Sequence, residues 1–386
     1  MKIGIVWEHG VSKWTMAPFE ELLDKHDVTV FVGEKNKFST EGVRIPQQAL
    51  TRRGELRAAL ADPAFALAHL RAPYKRFYFY LNSLRAAIDD SFDVMICGDG
   101  SRSLNTLATL KPSRRYKLVV SYSENIPVRS IFDAKTDLIK KRAWSAIDLL
   151  TPWCEHIRLG MEDEGVTPPI QTIPMGICQD IFQPREKDHA LCTQYGLDPD
   201  KFIFSYIGKL VSWKGVQYLL YAAKVLKRQG RTNFQIAITG RGAQLSNLKK
   251  IIADLGLQEE VVFTGFLPYT EVGRLHNLAD CLVLPSVPTL TWQEQFGMVL
   301  VEAMACRKPI LGSRSGAIPE VSAGASLLHT PGDWRELATD MARLLDDPAL
   351  CAQLGETGYR RVCERYTKQH TARQYEAALL RLLAAG

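Results

Sequence analysis

The sequence contains no Cys-x-x-Cys pair, no run approaching eighteen apolar residues, no low-complexity tract and no short-period repeat. Its eight cysteines are scattered at 97, 154, 178, 192, 281, 306, 351 and 363, which argues against a zinc site or a disulfide framework. Cys97, Cys281 and Cys306 lie inside apolar segments and read as core thiols of a reducing compartment. Without a long apolar run a membrane-spanning helix is not expected. The opening MKIGIVW reads as a strand, with no charged region, apolar region and cleavage site of a signal peptide. A cytoplasmic location is therefore the expectation.

At 386 residues the chain is long enough for two domains, each with its own core. Hydrophobic residues at 46% and charged residues at 23% suit a globular enzyme rather than a disordered or fibrous chain. The net charge of +6 is matched by residues 101–150 alone, which hold ten Lys/Arg and four Asp/Glu. Clusters occur at Arg114-Arg115-Tyr116-Lys117 and Lys140-Lys141-Arg142, and Arg71 to Tyr80 mixes cations with aromatics. Such stretches suit a solvated face, or peripheral contact with the inner face of a membrane or an anionic acceptor. Nothing in the pattern calls for nucleic acid.

Short apolar runs at Lys2–Trp7, Val28–Val32, Asp93–Cys97, Lys117–Tyr122, Asp148–Leu150 and Ile170–Pro174 read as strands. Helical patterns intervene, for example at Ala17–Asp27 and Lys135–Ala146. The second half restarts the alternation. Its strands are expected at Phe202–Ile207, Gln235–Thr239, Val261–Gly265, Cys281–Pro285, Pro309–Gly312 and Ala325–His329. Its helices are expected at Val216–Arg228, Ala243–Leu255, Thr270–Asn277, Met298–Cys306 and Asp333–Asp346. Alternation of this kind predicts an α/β fold with two doubly wound, Rossmann-like parallel sheets. The expected division is residues 1–180 and 185–366, with Lys187 to Asp200 as a turn-rich surface connection. Ligands on such sheets bind beyond the carboxyl ends of strands.

The most informative stretch is Pro285 to Glu320, centred on Glu294-Gln-Phe-Gly-Met-Val-Leu-Val-Glu302. Glu294 precedes a short helix marked by Val299, Leu300, Ala303 and Met304, and Glu302 lies on it. A helix start offers unpaired N–H groups and a positive dipole end to an anion. Spacing alone fits equally a helix-end charge at Glu294 and an exposed surface residue at Glu302. Elsewhere, Gly208-Lys209 and Lys214-Gly215 precede a helix and can cradle a pyrophosphate. Gly240-Arg-Gly242 lacks the third glycine of a dinucleotide fingerprint, since Leu245 stands there. Asp198-Pro-Asp200 has the spacing of a metal-binding Asp-x-Asp but reads as a turn.

The segment Trp292-x-Glu294-Gln-Phe-Gly, Glu302-Ala-Met-Ala-Cys306 and Ser315-Gly-x-Ile-Pro-Glu320 resembles the E-x7-E signature of retaining family-4 glycosyltransferases. Met175 to Pro184 resembles the passage joining the two domains of their GT-B fold, with Met175 in place of the common Asn. The resemblance is strong over 202–320 and looser before 175. It implies two Rossmann-like domains facing across a cleft, an acceptor domain first and a donor domain second. It also implies that the terminal helix, 367–386, crosses back to the first domain, and that domain closure excludes water.

The same resemblance implies functional residues. Lys209 and Lys214 would hold the donor diphosphate, where relatives commonly place Arg and Lys. Glu294 would position donor-sugar hydroxyls and Glu302 the ribose. Gly208, Gly240, Gly265, Phe296, Gly297, Met298 and Val299 would line the donor site, and Gly265-Phe266-Leu267 would meet the base. Gly10, Asp99 and Glu124 are candidate acceptor contacts, although Asp99-Gly100 is also an ordinary turn and Glu124 an ordinary cap. Relatives carry a histidine near Asp99 that this chain lacks. The implied activity is metal-independent, cofactor-free, retaining transfer of a hexose from a nucleotide-diphosphate sugar to a glycan or lipid-linked acceptor. UDP-sugars stand slightly ahead of GDP-mannose. The alternatives are a GT-B phosphorylase or synthase and a non-catalytic sugar-nucleotide binder, with an NAD enzyme more remote.

Overall fold

A computed structural model of the chain describes residues 1–7, 10–33, 36, 38–50, 81–99, 102–127, 141 and 143–385. Glu8, His9, Arg71 to Tyr80, Gly100-Ser101, Lys140, Arg142 and most of the helix expected at Lys135–Ala146 lie outside the described residues. The chain divides into two compact units, Met1–Gly176 with Lys368–Gly386, and Ile177–Thr367.

The first unit is built on a six-stranded parallel sheet. Its strands are β1 (Lys2–Val6), β2 (Asp27–Gly33), β3 (Gln47–Leu50), β4 (Val94–Gly98), β5 (Lys117–Tyr122) and β6 (Leu149–Pro152), in the order β3-β2-β1-β4-β5-β6. Central runs such as Val94 to Cys97 and Leu118 to Val120 are fully buried, as befits strands covered on both faces. Among the described residues before Gly176, the helices are α1 (Lys13–Glu20), α2 (Leu81–Ala87), α3 (Arg102–Leu110) and α4 (Glu155–Asp163). Ile170–Pro174 is not a strand; Ile170 makes one isolated bridge to Leu150 and the rest pairs irregularly. The first helix spans Lys13–Glu20 rather than Ala17–Asp27, because Ser12 starts it with a capping box shared with Thr15.

The second unit repeats the architecture with β7 (Phe202–Ile207), β8 (Phe234–Thr239), β9 (Val261–Gly265), β10 (Cys281–Leu284), β11 (Ile310–Ser313) and β12 (Ser326–His329). Their order is β12-β11-β10-β7-β8-β9, again parallel. The helices are α5 (His189–Gln194), α6 (Val216–Arg228), α7 (Leu245–Leu255), α8 (Tyr269–Leu278), α9 (Met298–Ala305), α10 (Ile318–Val321), α11 (Trp334–Asp346) and α12 (Pro348–Arg365). Residues 187–200 are not merely a connection, since Asp188 caps α5 within them. The final helix, α13 (Lys368–Ala384), belongs to the first unit, where it packs against α1. Tyr375 and Leu379 enter the core formed by Ile3, Ile5, Phe19 and Val30.

Each sheet has one place where the chain reverses its direction of growth: between β1 and β4 in the first unit, between β7 and β10 in the second. The strand ends on either side of such a point diverge and leave a crevice suited to a ligand. In the first unit Gly10 follows β1 and Asp99 follows β4; in the second Lys209 and Lys214 follow β7, and Glu294 follows β10.

Candidate active site

A glycine brings the loops after β7 and β10 together. Gly215 has φ +73°, and a Cβ there would sit 1.9 Å from the Pro285 carbonyl oxygen. Only a residue without a side chain permits that approach. One residue earlier, the Lys214 ammonium lies 2.6 Å from Glu294 Oε2, and the Ser286 hydroxyl donates to the same oxygen at 2.9 Å. The Trp292 ring lies beneath the ammonium, 4.8 Å from its centroid. Glu294 is 7% exposed. Burial of a carboxylate is costly unless it is paired and hydrogen-bonded, and this one is both. Gly316, with φ +52°, packs its backbone against the Glu294 carbonyl and fixes the same loop from the β11 side.

The glycines after β8 behave similarly. Gly240 has φ +142° and a Cβ there would lie 1.8 Å from the Gly208 carbonyl oxygen, while one on Gly242 would lie 2.2 Å from that of Leu210. Gly240 N–H donates to the Gly265 carbonyl at 2.8 Å, tying the β8 and β9 exits together. The Gly-x-Gly is thus a packing device for adjacent loops. Beyond it Phe266 is 61% exposed with the Arg241 guanidinium 4.2 Å over its ring. Lys209 is exposed, and no described residue forms an ion pair with it. Its carbonyl accepts the Tyr206 hydroxyl at 2.7 Å. Burial, and then the Glu294 charge, push that phenol far above its usual range.

The helix starts in this region share one property. α6, α7 and α9 begin at Gly215, Gln244 and Gly297, none with a side chain accepting from the first amides. By contrast α5, α11 and α12 begin at Asp188, Asp333 and Asp347, whose carboxylates do accept those amides. Uncapped amides at strand exits are an anion-binding arrangement. Phe296 supplies only backbone there, because its ring is buried edge-on against Tyr366. Met298 and Val299 are the first residues of α9.

Glu302 lies one turn into α9 and is 6% exposed, so neither glutamate of the pair is a surface residue. Its Oε2 lies 3.6 Å from Nε2 of the fully buried His276 on α8. The Tyr269 phenol is held well above its usual range, by burial first and by the Glu302 charge second. His276 and Tyr269 were not singled out from the sequence; an aromatic and a histidine at helical spacing carry no motif.

In the first unit, Gly10 is in the turn leading to α1, where its carbonyl accepts the Thr15 hydroxyl at 2.7 Å. The Asp99 carboxylate accepts the Ser123 and Glu124 backbone N–H groups at 2.7 and 2.9 Å. Glu124 Oε1 accepts the Asn125 N–H at 3.2 Å. Both carboxylates therefore organise the loop after β5. The Asp198 carboxylate accepts the Asp200 N–H at 3.0 Å, which is a turn. Among the described residues no cluster of His, Cys, Asp or Glu has metal-site geometry, and no helix is long and apolar enough to cross a membrane. Cys97, Cys281 and Cys306 are buried free thiols.

Residues 190–361 match the family described as glycosyl transferases group 1. The second unit is thus similar, over most of its length, to that family. Proteins similar to this chain include the alpha-D-kanosaminyltransferase of Streptomyces kanamyceticus, 33% identical over 43% of this chain and 42% of that one. The MMP alpha-(1->4)-mannosyltransferase of Mycolicibacterium hassiacum is 31% identical over 64% and 56%. A GDP-mannose-dependent phosphatidylinositol monomannoside mannosyltransferase of Mycolicibacterium smegmatis is 32% identical over 50% and 52%. The chain thus spans about half the length of the curated relatives it matches. Among solved structures, sucrose-phosphate synthase from Thermosynechococcus elongatus superposes over 100% of both chains with a TM-score of 0.78 at 18% identity. Anabaena HepE in complex with UDP covers 98% of this chain and 99% of its own, with a TM-score of 0.78 at 20% identity. These likenesses establish the GT-B fold.

Proposed function

We propose that this chain is a retaining hexosyltransferase that moves a sugar from a nucleotide-diphosphate donor to a hydroxyl of a glycan or lipid-linked acceptor. The observation that carries the reading is the Lys214–Glu294 pair, held at the reversal point of the second sheet among uncapped helix starts. A cation and a carboxylate side by side suit the two halves of a nucleotide-sugar, a diphosphate and a polyhydroxylated ring. Lys214, Lys209 and the amides of Gly297, Met298 and Val299 would receive the diphosphate. Glu294 would accept hydrogen bonds from sugar hydroxyls, and Glu302 from the ribose. Gly208, Gly240 and Gly265 let the backbone come close to the nucleotide.

In the proposed reaction the anomeric C–O bond to the diphosphate breaks as the acceptor oxygen bonds to the same carbon from the same face. The acceptor proton passes to an oxygen of the departing diphosphate. Negative charge grows on that diphosphate, and fixed positive groups there stabilise the transition state without reorganisation. Protein cations and amides fill this role, so no divalent ion or other cofactor is invoked. Gly10, Asp99 and Glu124 are proposed acceptor contacts on the first unit. A uridine donor is favoured because Anabaena HepE is seen with UDP; the guanosine alternative rests on the relative named for GDP-mannose.

The test is nucleoside diphosphate release from a panel of UDP-sugars and GDP-mannose, with simple glycosides as acceptors. Glu294→Ala is expected to lower release by about 100-fold or more while the protein still folds, its Tm lowered by the unpaired Lys214. Undiminished turnover in a folded Glu294→Ala protein would overturn the assignment. Sugar phosphate formation that depends on inorganic phosphate would identify a phosphorylase instead.

A further inference from the structure

The interior of the second unit holds polar atoms for which packing gives no reason. His276 is fully buried, and neither ring nitrogen makes a hydrogen bond; the Tyr269 hydroxyl is buried with it. Leaving a buried polar group unsatisfied is destabilising, so packing alone would favour a leucine at 276. Both side chains stand beside one group, the Glu302 carboxylate. The His276 Nε2–Glu302 Oε2 distance of 3.6 Å is too long for a hydrogen bond yet close enough for an imidazole N–H to face the carboxylate and bias its orientation.

The ring of His276 is not free to turn away. Phe182 packs edge-on against it at 6.1 Å and against Tyr269 at 5.2 Å. The neighbouring Asn277 locks the end of α8, accepting the Arg185 N–H at 2.8 Å and donating to the Gln183 and Gly273 carbonyls. A rigid imidazole beside a carboxylate limits which way that carboxylate can point. Ligand groups held by such second partners meet a substrate already oriented.

We infer that His276 is a positioning residue for Glu302, fixing its carboxylate in the orientation that receives the ribose diol of the donor nucleotide. The inference rests on the proposed contact between Glu302 and ribose and adds the residue that makes it selective. It predicts that discrimination between ribose and deoxyribose depends on a side chain that does not touch the nucleotide.

The experiment is calorimetric titration with UDP and 2′-deoxyUDP, and with GDP and 2′-deoxyGDP, of the parent protein, Glu302→Gln, His276→Phe and His276→Gln. The parent is expected to prefer the ribonucleotide by about tenfold or more. His276→Phe keeps the ring volume and the edge contact with Phe182 but removes both nitrogens, and should bring the ratio close to one. His276→Gln, which retains an N–H donor, should keep most of the preference. Should His276→Phe fail to fold, His276→Leu takes its place with the same readout. An unchanged ratio in the folded apolar variant, with Glu302→Gln losing it, would overturn the role of His276 alone. An unchanged ratio in Glu302→Gln, or a parent protein with no preference, would overturn the ribose contact and this inference together.

Discussion

Gly215 and Gly230 share a left-handed backbone, with φ of +73° and +79°, and differ only in their surroundings. Around Gly230 no atom lies within 4 Å of where a Cβ would be, whereas at Gly215 the Pro285 carbonyl is 1.9 Å away. Gly230→Ala should therefore cost about 1 kcal/mol, the strain of a left-handed alanine. Gly215→Ala should cost about 2 kcal/mol more, because the loops after β7 and β10 must also separate. Urea denaturation of the two variants checks this, and equal losses would show that the close approach does not matter. The sequence marks both positions as turns but does not distinguish them, since the carbonyl that decides the matter is seventy positions away. The same limit applied to Lys214 and Glu294. Each was recognisable by motif, yet their mutual pairing and the Trp292 ring beneath them depend on loops that meet only in the folded chain. Spacing left open whether Glu302 faced solvent; its burial against His276 closes the question.

Elements were legible in proportion to how completely they are buried. The central strands announce themselves as apolar runs because helices cover them on both faces. β3, Gln47–Leu50, escaped notice since three of its four residues are exposed at a sheet edge. α12, Pro348–Arg365, was missed for a different reason. Gly355 and Gly358 resemble breakers, but a Cβ at Gly355 would lie 2.3 Å from the Arg307 carbonyl and one at Gly358 2.8 Å from Met304 Cγ. They are the points where α12 packs closely on α9 and the turn that follows it. The terminal helix α13 carries the apolar periodicity of Ala372, Tyr375 and Leu379. Tyr375 packs 5.0 Å from Phe19 and its hydroxyl lies 3.1 Å from that of Thr151. Tyr375→Ala should therefore destabilise the first unit by about 3–5 kcal/mol. Hydrogen exchange would locate the loss: accelerated exchange in β1 and β6 is expected, with β7 and β10 unaffected. Uniform acceleration in both units would contradict placing α13 in the first.

At the scale of the whole molecule, two parallel sheets each reverse direction once, and the sequence-marked residues gather at those reversals. The second reversal joins Lys214, Glu294 and three uncapped helix starts; the first places Gly10 and Asp99 on its two sides. Alternating patterns along the chain were enough to indicate such sheets, and the E-x7-E motif falls beside the second reversal. Under the proposed function, the choice of base, sugar and acceptor would rest on side-chain shapes that no motif records. The most direct test is calorimetric titration of the parent protein and Lys214→Ala with UDP, GDP and ADP, with and without EDTA. The account predicts that the parent binds one of the first two nucleotides equally well in EDTA, and that Lys214→Ala weakens this binding by about tenfold or more. Binding that requires a divalent ion, or that survives Lys214→Ala undiminished, would contradict it.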